Sequence, residues 1–415
     1  MDKYITVMFP YPSGSGLHIG HWYNYAIVDS YCKIQKMKGD TVFQPFGFDS
    51  FGLPAENYAR KIGRDPSEVT EENIVSFTNE MKRMKTSFEF KFSTHLKEYQ
   101  KRTQWVFNQL RERGLAYKAN REQCWCPSCQ TVLANEQVVG SNIMNGLPKD
   151  GKCERCSTKV EVVEKEQWFF KITDYKDRLI KDLDKVDYPE KTKKQQRHWL
   201  ENLQDWCVSR QRSWGCPIPV EGEFDTLDTF VDSSFYTIEY DKTRPVDVYV
   251  GGNEHACMHL IYARFICKFL YDIGYIDFDE PFKQVIHQGM ILGTDGEKMS
   301  KARGNVISPE TYEPQLLRMY LMFINHYFEG GKWQDDGYKG CERFRRRLFT
   351  WMENPTDVDA DIDIESFKNR VIAYFDSWKT NKVVSEWMIF FNNNKGKRPS
   401  QKQVDQIIEF FKICF

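Results

Sequence analysis

The sequence predicts an α/β protein: a parallel sheet interrupted by a metal-binding module and followed by helices. Three observations carry this. A strand-like segment, Tyr4–Phe9, runs through a glycine-rich turn, "PSGSGLHIGH", into an amphipathic stretch from Trp22 to Met37. Two C-x-x-C pairs lie in the middle of the chain. Two further apolar runs, "PVDVYVGG" (245–252) and "QVIHQGMILG" (284–293), end in glycine like buried parallel strands.

The 415 residues suffice for two or three domains with substantial cores. With 58 basic and 59 acidic residues, no global charge marks a nucleic-acid or membrane protein, so any basic surface is local. No apolar run reaches the length of a membrane span. The opening "MDKYITVMFP" lacks the layout of a secretory signal, and the 12 cysteines are expected as reduced thiols in a cytoplasmic compartment.

The first element, strand–glycine turn–helix, exposes backbone N–H groups and a positive helix end to a phosphate. The remainder of residues 1–114 mixes short strands and helices, as in the first half of a parallel α/β sheet. Residues 115–200 follow as a connecting module. In it Cys126, Cys129, Cys153 and Cys156 form "CPSC" and "CERC", 23 residues apart, the spacing of a closed four-thiolate structural zinc site over about 122–160. Cys124 is expected to be a non-ligand. From "EKEQWFFKITDYKDRLIKDLDKV" the pattern reads as helical, with Phe169, Ile172, Leu179 and Leu183 recurring at three and four. Residues 201–292 supply the second group of strands. In residues 293–340, "GTDGEKMSKARGNV" puts Lys298 and Lys301 on a glycine-rich loop, where two ammonium groups can neutralise charge on a departing pyrophosphate. Residues 341–415 are helical, broken by "NNNKGKRPSQK".

"HIGH" and "KMSKA" resemble the two signatures of class I aminoacyl-tRNA synthetases. "MFPYPSGSGLHIGH", "PFGFDSFGLPAEN", "CPSCQTVLANEQV", "EQWFFKITDY", "DTFVDSSFY" and "GGNEHACMH" narrow the resemblance to the bacterial type of leucyl-tRNA synthetase, from about residue 4 to about 395. The resemblance implies a Rossmann-like sheet split by the connecting module, and a reaction in which the leucine carboxylate attacks ATP, with Mg²⁺ on the phosphates, to give leucyl-adenylate. It implies phosphate contacts for His18 and His21, backbone approach at Gly14, Gly16 and Gly20, and mobile cations at Lys298 and Lys301. Gly252, Glu254, Gln288 and Met290 fall on the nucleotide side. Met8, Phe9, Tyr11, Phe230, Ser233, Tyr236, His255 and His259 fall around the amino acid, whose ammonium would pair with Asp49. Taken without the family, His255 and His259 at i and i+4 are half a zinc site, but no third ligand is evident.

Three departures shape the expectation. "QQRHWLENLQDWCVSRQRSWGCPIP" runs nearly without interruption where relatives insert an editing domain. The chain ends at "VDQIIEFFKICF", so a truncated helical bundle without a C-terminal tRNA-binding domain is expected. Ala302 replaces a common serine, with Arg303 after it. The basic residues Arg343, Arg345, Arg346, Arg347, Lys395, Lys397 and Arg398 are candidates for phosphate contact or a solvated helix face. The expectation is a monomeric leucine-activating enzyme that charges tRNA(Leu), weakly or with a helper, without editing. The alternatives are transfer of leucine to another acceptor, or a non-catalytic tRNA-binding or regulatory relative.

Overall fold

Strand β1 (Asp2–Val7) feeds helix α1 (Ile19–Met37), then β2 (Thr41–Phe43), β3 (Pro45–Phe48), helices α2 (Leu53–Ile62) and α3 (Pro66–Arg83), strand β4 (Glu89–Ser93) and helix α4 (Lys97–Glu112). In this computed structural model the described residues are 2–12, 16–144, 147–299 and 304–415. The connecting module brings β5 (Ala116–Cys126), β6 (Thr131–Leu133), β7 (Glu161–Phe170), helices α5 (Lys176–Lys181) and α6 (Glu190–Glu201), and β8 (Trp206–Cys207). Helices α7 (Thr229–Ser233) and α8 (Tyr236–Tyr240) precede β9 (Val246–Gly251), α9 (His259–Asp272), β10 (Phe282–His287) and β11 (Met290–Leu292). The chain closes with α10 (Pro314–Phe323), β12 (Gly330–Lys332), α11 (Asp335–Met352), α12 (Ile364–Asp376), α13 (Thr380–Asn394) and α14 (Gln401–Cys414).

The main sheet is parallel, ordered β10-β9-β1-β2, with β3 and β4 paired in parallel beside it. Thr6 Oγ1 donates to the Pro45 carbonyl at 2.7 Å, and the Asp49 N–H donates to the Pro10 carbonyl at 3.0 Å, so the chain leaving β1 stays tied to β3. Alternation sorts the two faces. Ile5, Val7, Val248, Val250 and Ile286 join one core with α1, α10 and the last helices. Tyr4, Tyr249 and Val285, the alternate positions, join another with α9 and the connecting module. Both faces are covered, as a parallel sheet requires.

Three expectations are corrected. Residues 164–170 are strand, not helix: β7 pairs antiparallel with β5 over ten residue pairs. Trp168, Phe169 and Phe170 are all buried, so aromatic bulk suited to a sheet outweighs a three-and-four pattern that α5 satisfies only afterwards. The run 284–293 is two strands. A Cβ on Gly289 would lie 2.0 Å from the Gly330 nitrogen, and beyond this close approach β11 pairs with β12 instead of continuing along β9. The first strand spans Asp2–Val7 rather than reaching Phe9, and its helix begins at Ile19, ahead of Trp22.

Candidate active site

Helix α1 begins with a reciprocal cap built from two histidines. His18 is the N-cap, and its Nδ1 accepts the Gly20 N–H at 3.0 Å; the His21 Nδ1 accepts the His18 N–H at 3.2 Å. This is the capping-box arrangement with imidazoles in the usual Ser and Glu roles. The rings stack with centroids 3.9 Å apart. Occupying both Nδ1 lone pairs puts the ring proton of each neutral imidazole on Nε2. Burial, and then the adjacent His18, depress the basicity of His21, so it stays neutral. Gly20 is required because a Cβ there would lie 2.8 Å from His18 Cε1. Gly16 takes the left-handed φ of +76°. Gly14 lies outside the described residues.

Asp49 follows β3 and is buried. Its Oδ1 accepts the Thr229 hydroxyl at 2.9 Å and the Thr94 hydroxyl at 3.5 Å; its Oδ2 is buried with no hydrogen-bond partner among the described residues. Burial, reinforced by nearby Asp228, pushes its pKa up to about 8. Asp228 is itself balanced by a buried ion pair with Arg210. Half-buried Tyr11 has its phenol pKa raised by burial and then by Asp49, which places the two side chains in one neighbourhood. Phe9 stacks on Tyr236, centroids 3.8 Å apart, and Phe230 is buried in the same core. His259 and Ser233 are buried with them, Ser233 Oγ lying 3.4 Å from His259 Nδ1. With Tyr249 on its other nitrogen, His259 has no lone pair left for a metal.

At the C-terminal end of β9, a Cβ on Gly251 would lie 2.0 Å from Met8 Sδ, so Met8 lies across the end of the strand. A Cβ on Gly252 would likewise lie 2.1 Å from Glu254 Oε2. His287 Nδ1 donates to the Gly251 carbonyl at 2.9 Å. His255 Nδ1, His287 Nε2 and Gln288 Oε1 are buried without hydrogen-bond partners among the described residues, and Met290 is 49% exposed. Burial lowers the pKa values of His255 and His259, the latter to about 3.

The lysine loop leaves β11, whose Ile291 packs in one core with Trp22 and Tyr23 of α1. The Gly293 N–H donates to the Glu297 carbonyl at 2.8 Å, and Asn305 spans the loop from Asp295 at 2.9 Å to the Lys298 carbonyl at 3.3 Å. The Lys298 side chain is exposed. Lys301, Ala302 and Arg303 lie outside the described residues.

Sequence comparison decides the family. A family model described as tRNA synthetases class I (M) matches residues 3–240, and one described as tRNA synthetases class I (I, L, M and V) matches residues 225–330. The leucine–tRNA ligase of Clostridium kluyveri is 33% identical over an alignment covering 83% of this chain and 73% of that protein. The chain belongs to the leucine–tRNA ligase family. The leucine–tRNA ligase of Caldanaerobacter subterraneus is 32% identical, covering 85% and 74%. Among solved structures, an Agrobacterium radiobacter K84 LeuRS in a ternary complex with tRNA and LeuAMS superposes with a TM-score of 0.86 at 24% identity, over 99% of this chain and 82% of that one. The Mycobacterium tuberculosis methionyl-tRNA synthetase with methionyl-adenylate gives a TM-score of 0.76 at 18% identity, over 100% and 88%.

In this family member the four expected cysteines meet: the sulfurs of Cys126, Cys129, Cys153 and Cys156 all lie within 4.8 Å of one another. The two knuckles repeat one turn. Gln130 N donates to the Cys126 carbonyl and Ser157 N to the Cys153 carbonyl, at 2.8 and 2.9 Å, and Gln130 and Ser157 both take a left-handed φ. Four thiols so placed fit a tetrahedral zinc ion, which would cross-link the knuckles without an open catalytic position. Cys124 lies apart, its Sγ near Asn135 Oδ1 and the Pro148 carbonyl. Among the basic residues, Arg345 pairs with Glu313 and Lys397 with Asp361, while Arg347 lies over the Phe391 ring at 5.1 Å. No helix among the described residues is long and apolar enough to cross a membrane.

Sequence reasoning missed Thr229 and Thr94, which hold Asp49, and Tyr249, which holds His259. Thr229 stood beside Phe230 in a motif already singled out. Thr94 and Tyr249 carried no signal, the latter reading as one more apolar strand residue.

Proposed function

We propose that this chain activates L-leucine with ATP and transfers it to tRNA(Leu). The observation that carries the reading is Asp49: a buried carboxylate held on one oxygen by two threonines, with the other oxygen unsatisfied. A lone buried carboxylate is costly, and an ammonium docking on Oδ2 removes that cost. The leucine carboxylate then attacks the α-phosphorus of Mg-ATP, and the bond to the pyrophosphate oxygen breaks. His18 and His21, with ring protons on Nε2, are suited to donate hydrogen bonds to phosphoryl oxygens as charge develops there. Lys298 and Lys301 would neutralise the departing pyrophosphate. Gly16, Gly20 and Gly252 allow close approach of the nucleotide, with Glu254, Gln288 and Met290 on its ribose and base side. In the second step the adenylate carbonyl passes to a ribose hydroxyl of the tRNA terminus and AMP leaves.

Transfer proceeds without post-transfer editing in this reading. Two facts support it: the chain passes directly from α6 into β8, and the alignment with the C. kluyveri enzyme spans 603 positions although this chain has 415 residues. A hydrophobic pocket alone separates near-isosteric side chains by about 1–3 kcal/mol. The reading takes the protein as a cytoplasmic monomer with one structural zinc.

Leucine-dependent pyrophosphate exchange followed by charging of a total tRNA pool at low salt tests this. Leucine in acid-precipitable, base-labile RNA is expected. Exchange without charging would move the leucine to another acceptor, and absence of both would refute the proposal.

A further inference from the structure

Helix α6 of the connecting module lies against the main sheet at its β10 edge. Just ahead of the helix, the Asp187 N–H donates to the Lys283 carbonyl at 2.8 Å, and the Asp187 carbonyl accepts the Val285 N–H at 3.0 Å. Thr192, Gln196 and Leu200 then recur every fourth residue and form its buried face. Thr192 Oγ1 lies 3.5 Å from Asn253 Oδ1, and Gln196 Nε2 donates to the Ala256 carbonyl at 2.9 Å. Asn253 and Ala256 bracket Glu254 and His255, on the single 3₁₀ turn Asn253–His255 that follows β9.

The Gln196 amide is fully buried and has one possible orientation. Its Oε1 accepts from Arg264 Nη1 at 3.1 Å, a group that can only donate, and its Nε2 faces a carbonyl, which can only accept. Arg264 is itself fully buried in α9 and clamped to Glu280 by two bonds of 2.8 Å. The row Glu280–Arg264–Gln196 therefore ends on one backbone oxygen, that of Ala256. No backbone N–H among the described residues reaches this oxygen. The side chain of α6 is what holds that end of the turn.

We propose that Gln196 is a positioning residue for the nucleotide: by holding the Ala256 carbonyl it sets the turn that carries Glu254, so that ATP binding depends on helix α6. The inference rests on the leucine-activation reading, which puts Gly252 and Glu254 on the ribose side. The Glu254 carboxylate lies folded over Gly252, where a Cβ would come within 2.1 Å of its Oε2, so a small tilt of the turn carries the carboxylate away from a ribose. Without the amide, the buried Ala256 carbonyl loses its donor and regains one by tilting the turn toward water.

Gln196→Met tests the proposal, because it keeps the length of the side chain, removes the donor and leaves Arg264 its two bonds to Glu280. Leucine-dependent pyrophosphate exchange is measured at varied ATP and at varied leucine. The KM for ATP is expected to rise about tenfold while the KM for leucine stays within about twofold of wild type. Gln196→Glu keeps the acceptor for Arg264, which holds the carboxylate ionised, and it too has no proton for the Ala256 carbonyl. It should shift the KM for ATP in the same direction, and it serves if Gln196→Met does not fold. A wild type active with leucine, alongside folded variants whose KM for ATP stays within about twofold, overturns this inference alone. Wild-type protein that exchanges with no amino acid overturns the leucine-activation reading and this inference with it. Equal rises in both KM values, or a fall in kcat with neither KM changed, assign Gln196 a merely structural role and also overturn the proposal.

Discussion

Replacing Asp49 with asparagine separates the cost of the site from its use. The carboxyl is buried and 1% exposed, one oxygen is bonded and the other is not, and its pKa rises from 3.8 to about 8. Between those values the folded chain keeps a proton that the unfolded chain has released, so Asp49 lowers stability progressively as pH rises through the window. At roughly 1.4 kcal/mol per pH unit, the burden is about 2 kcal/mol at pH 5.5 and about 5 kcal/mol at pH 8. The amide of the Asp49→Asn variant cannot ionise, and its carbonyl can still accept from Thr229. The advantage of the substitution should therefore widen by roughly 3 kcal/mol over that range, a melting-temperature gain of about 3–4 °C for a chain of this length.

Under the proposed function the same carboxylate receives the substrate ammonium. Docking requires the ionised form, so leucine affinity should fall about tenfold for each pH unit below about 8 in the wild type. In Asp49→Asn the charge is gone, and the loss of a buried ion pair, about 3–5 kcal/mol, should reduce kcat/KM for exchange by about two to four orders of magnitude. Melting curves at pH 5.5 and 8, paired with exchange at both, give the two halves of the signature. A variant within tenfold of wild-type activity would refute the ammonium assignment. A melting difference that is the same at both pH values would refute the raised pKa.

His21→Ala should lower kcat for adenylate formation by about 10²–10³ with little change in leucine KM, and should cost about 1 kcal/mol of stability through the lost cap; single-turnover kinetics and a melting curve measure these separately. Lys298→Ala, at an exposed position, should leave the fold and leucine binding intact while slowing exchange at least tenfold; an unchanged rate removes the loop from the mechanism. About one zinc per chain should co-purify, and Cys153→Ser should release it on chelator challenge while lowering the melting temperature; metal analysis showing none in either protein refutes the four-thiolate site. In the absence of editing, isoleucine-charged tRNA(Leu) should accumulate at a frequency set by only about 1–3 kcal/mol of discrimination, and its hydrolysis by the same protein would refute that absence.

Legibility of the fold followed the locality of each constraint. The knuckles were readable because two cysteines and the left-handed residue after them sit within five positions. The histidine cap was readable as a motif, although that His18 and His21 would cap their own helix emerged only from the bonds at 3.0 and 3.2 Å. Misreading 164–170 as helix came from spacing that two periods share. Only the ten-residue pairing with β5, set by contacts some 45 positions away, separates them. The break at Gly289 depends in the same way on Gly330. The basic clusters looked alike in sequence, yet Arg345 is paired with Glu313 through a bond reaching 32 positions back, which no local pattern carries.

The residues that sequence could not find share one physical property: they act by satisfying another side chain rather than by touching a ligand. Thr94 and Thr229 hold one oxygen of Asp49, and Tyr249 joins His259 to Tyr236. Such residues need only a hydroxyl at the right place, and the chain supplies it from β9, from α7 or from just beyond β4, with only Thr229 lying next to a motif residue. Asp49, His255 and His287 differ from these: each carries a polar atom that folding buries and leaves without a hydrogen-bond partner among the described residues, as the proposed reading expects of a group that meets a ligand. A buried polar atom without a partner costs stability in the empty protein. Its persistence at Asp49 supports the proposed docking of a substrate ammonium there.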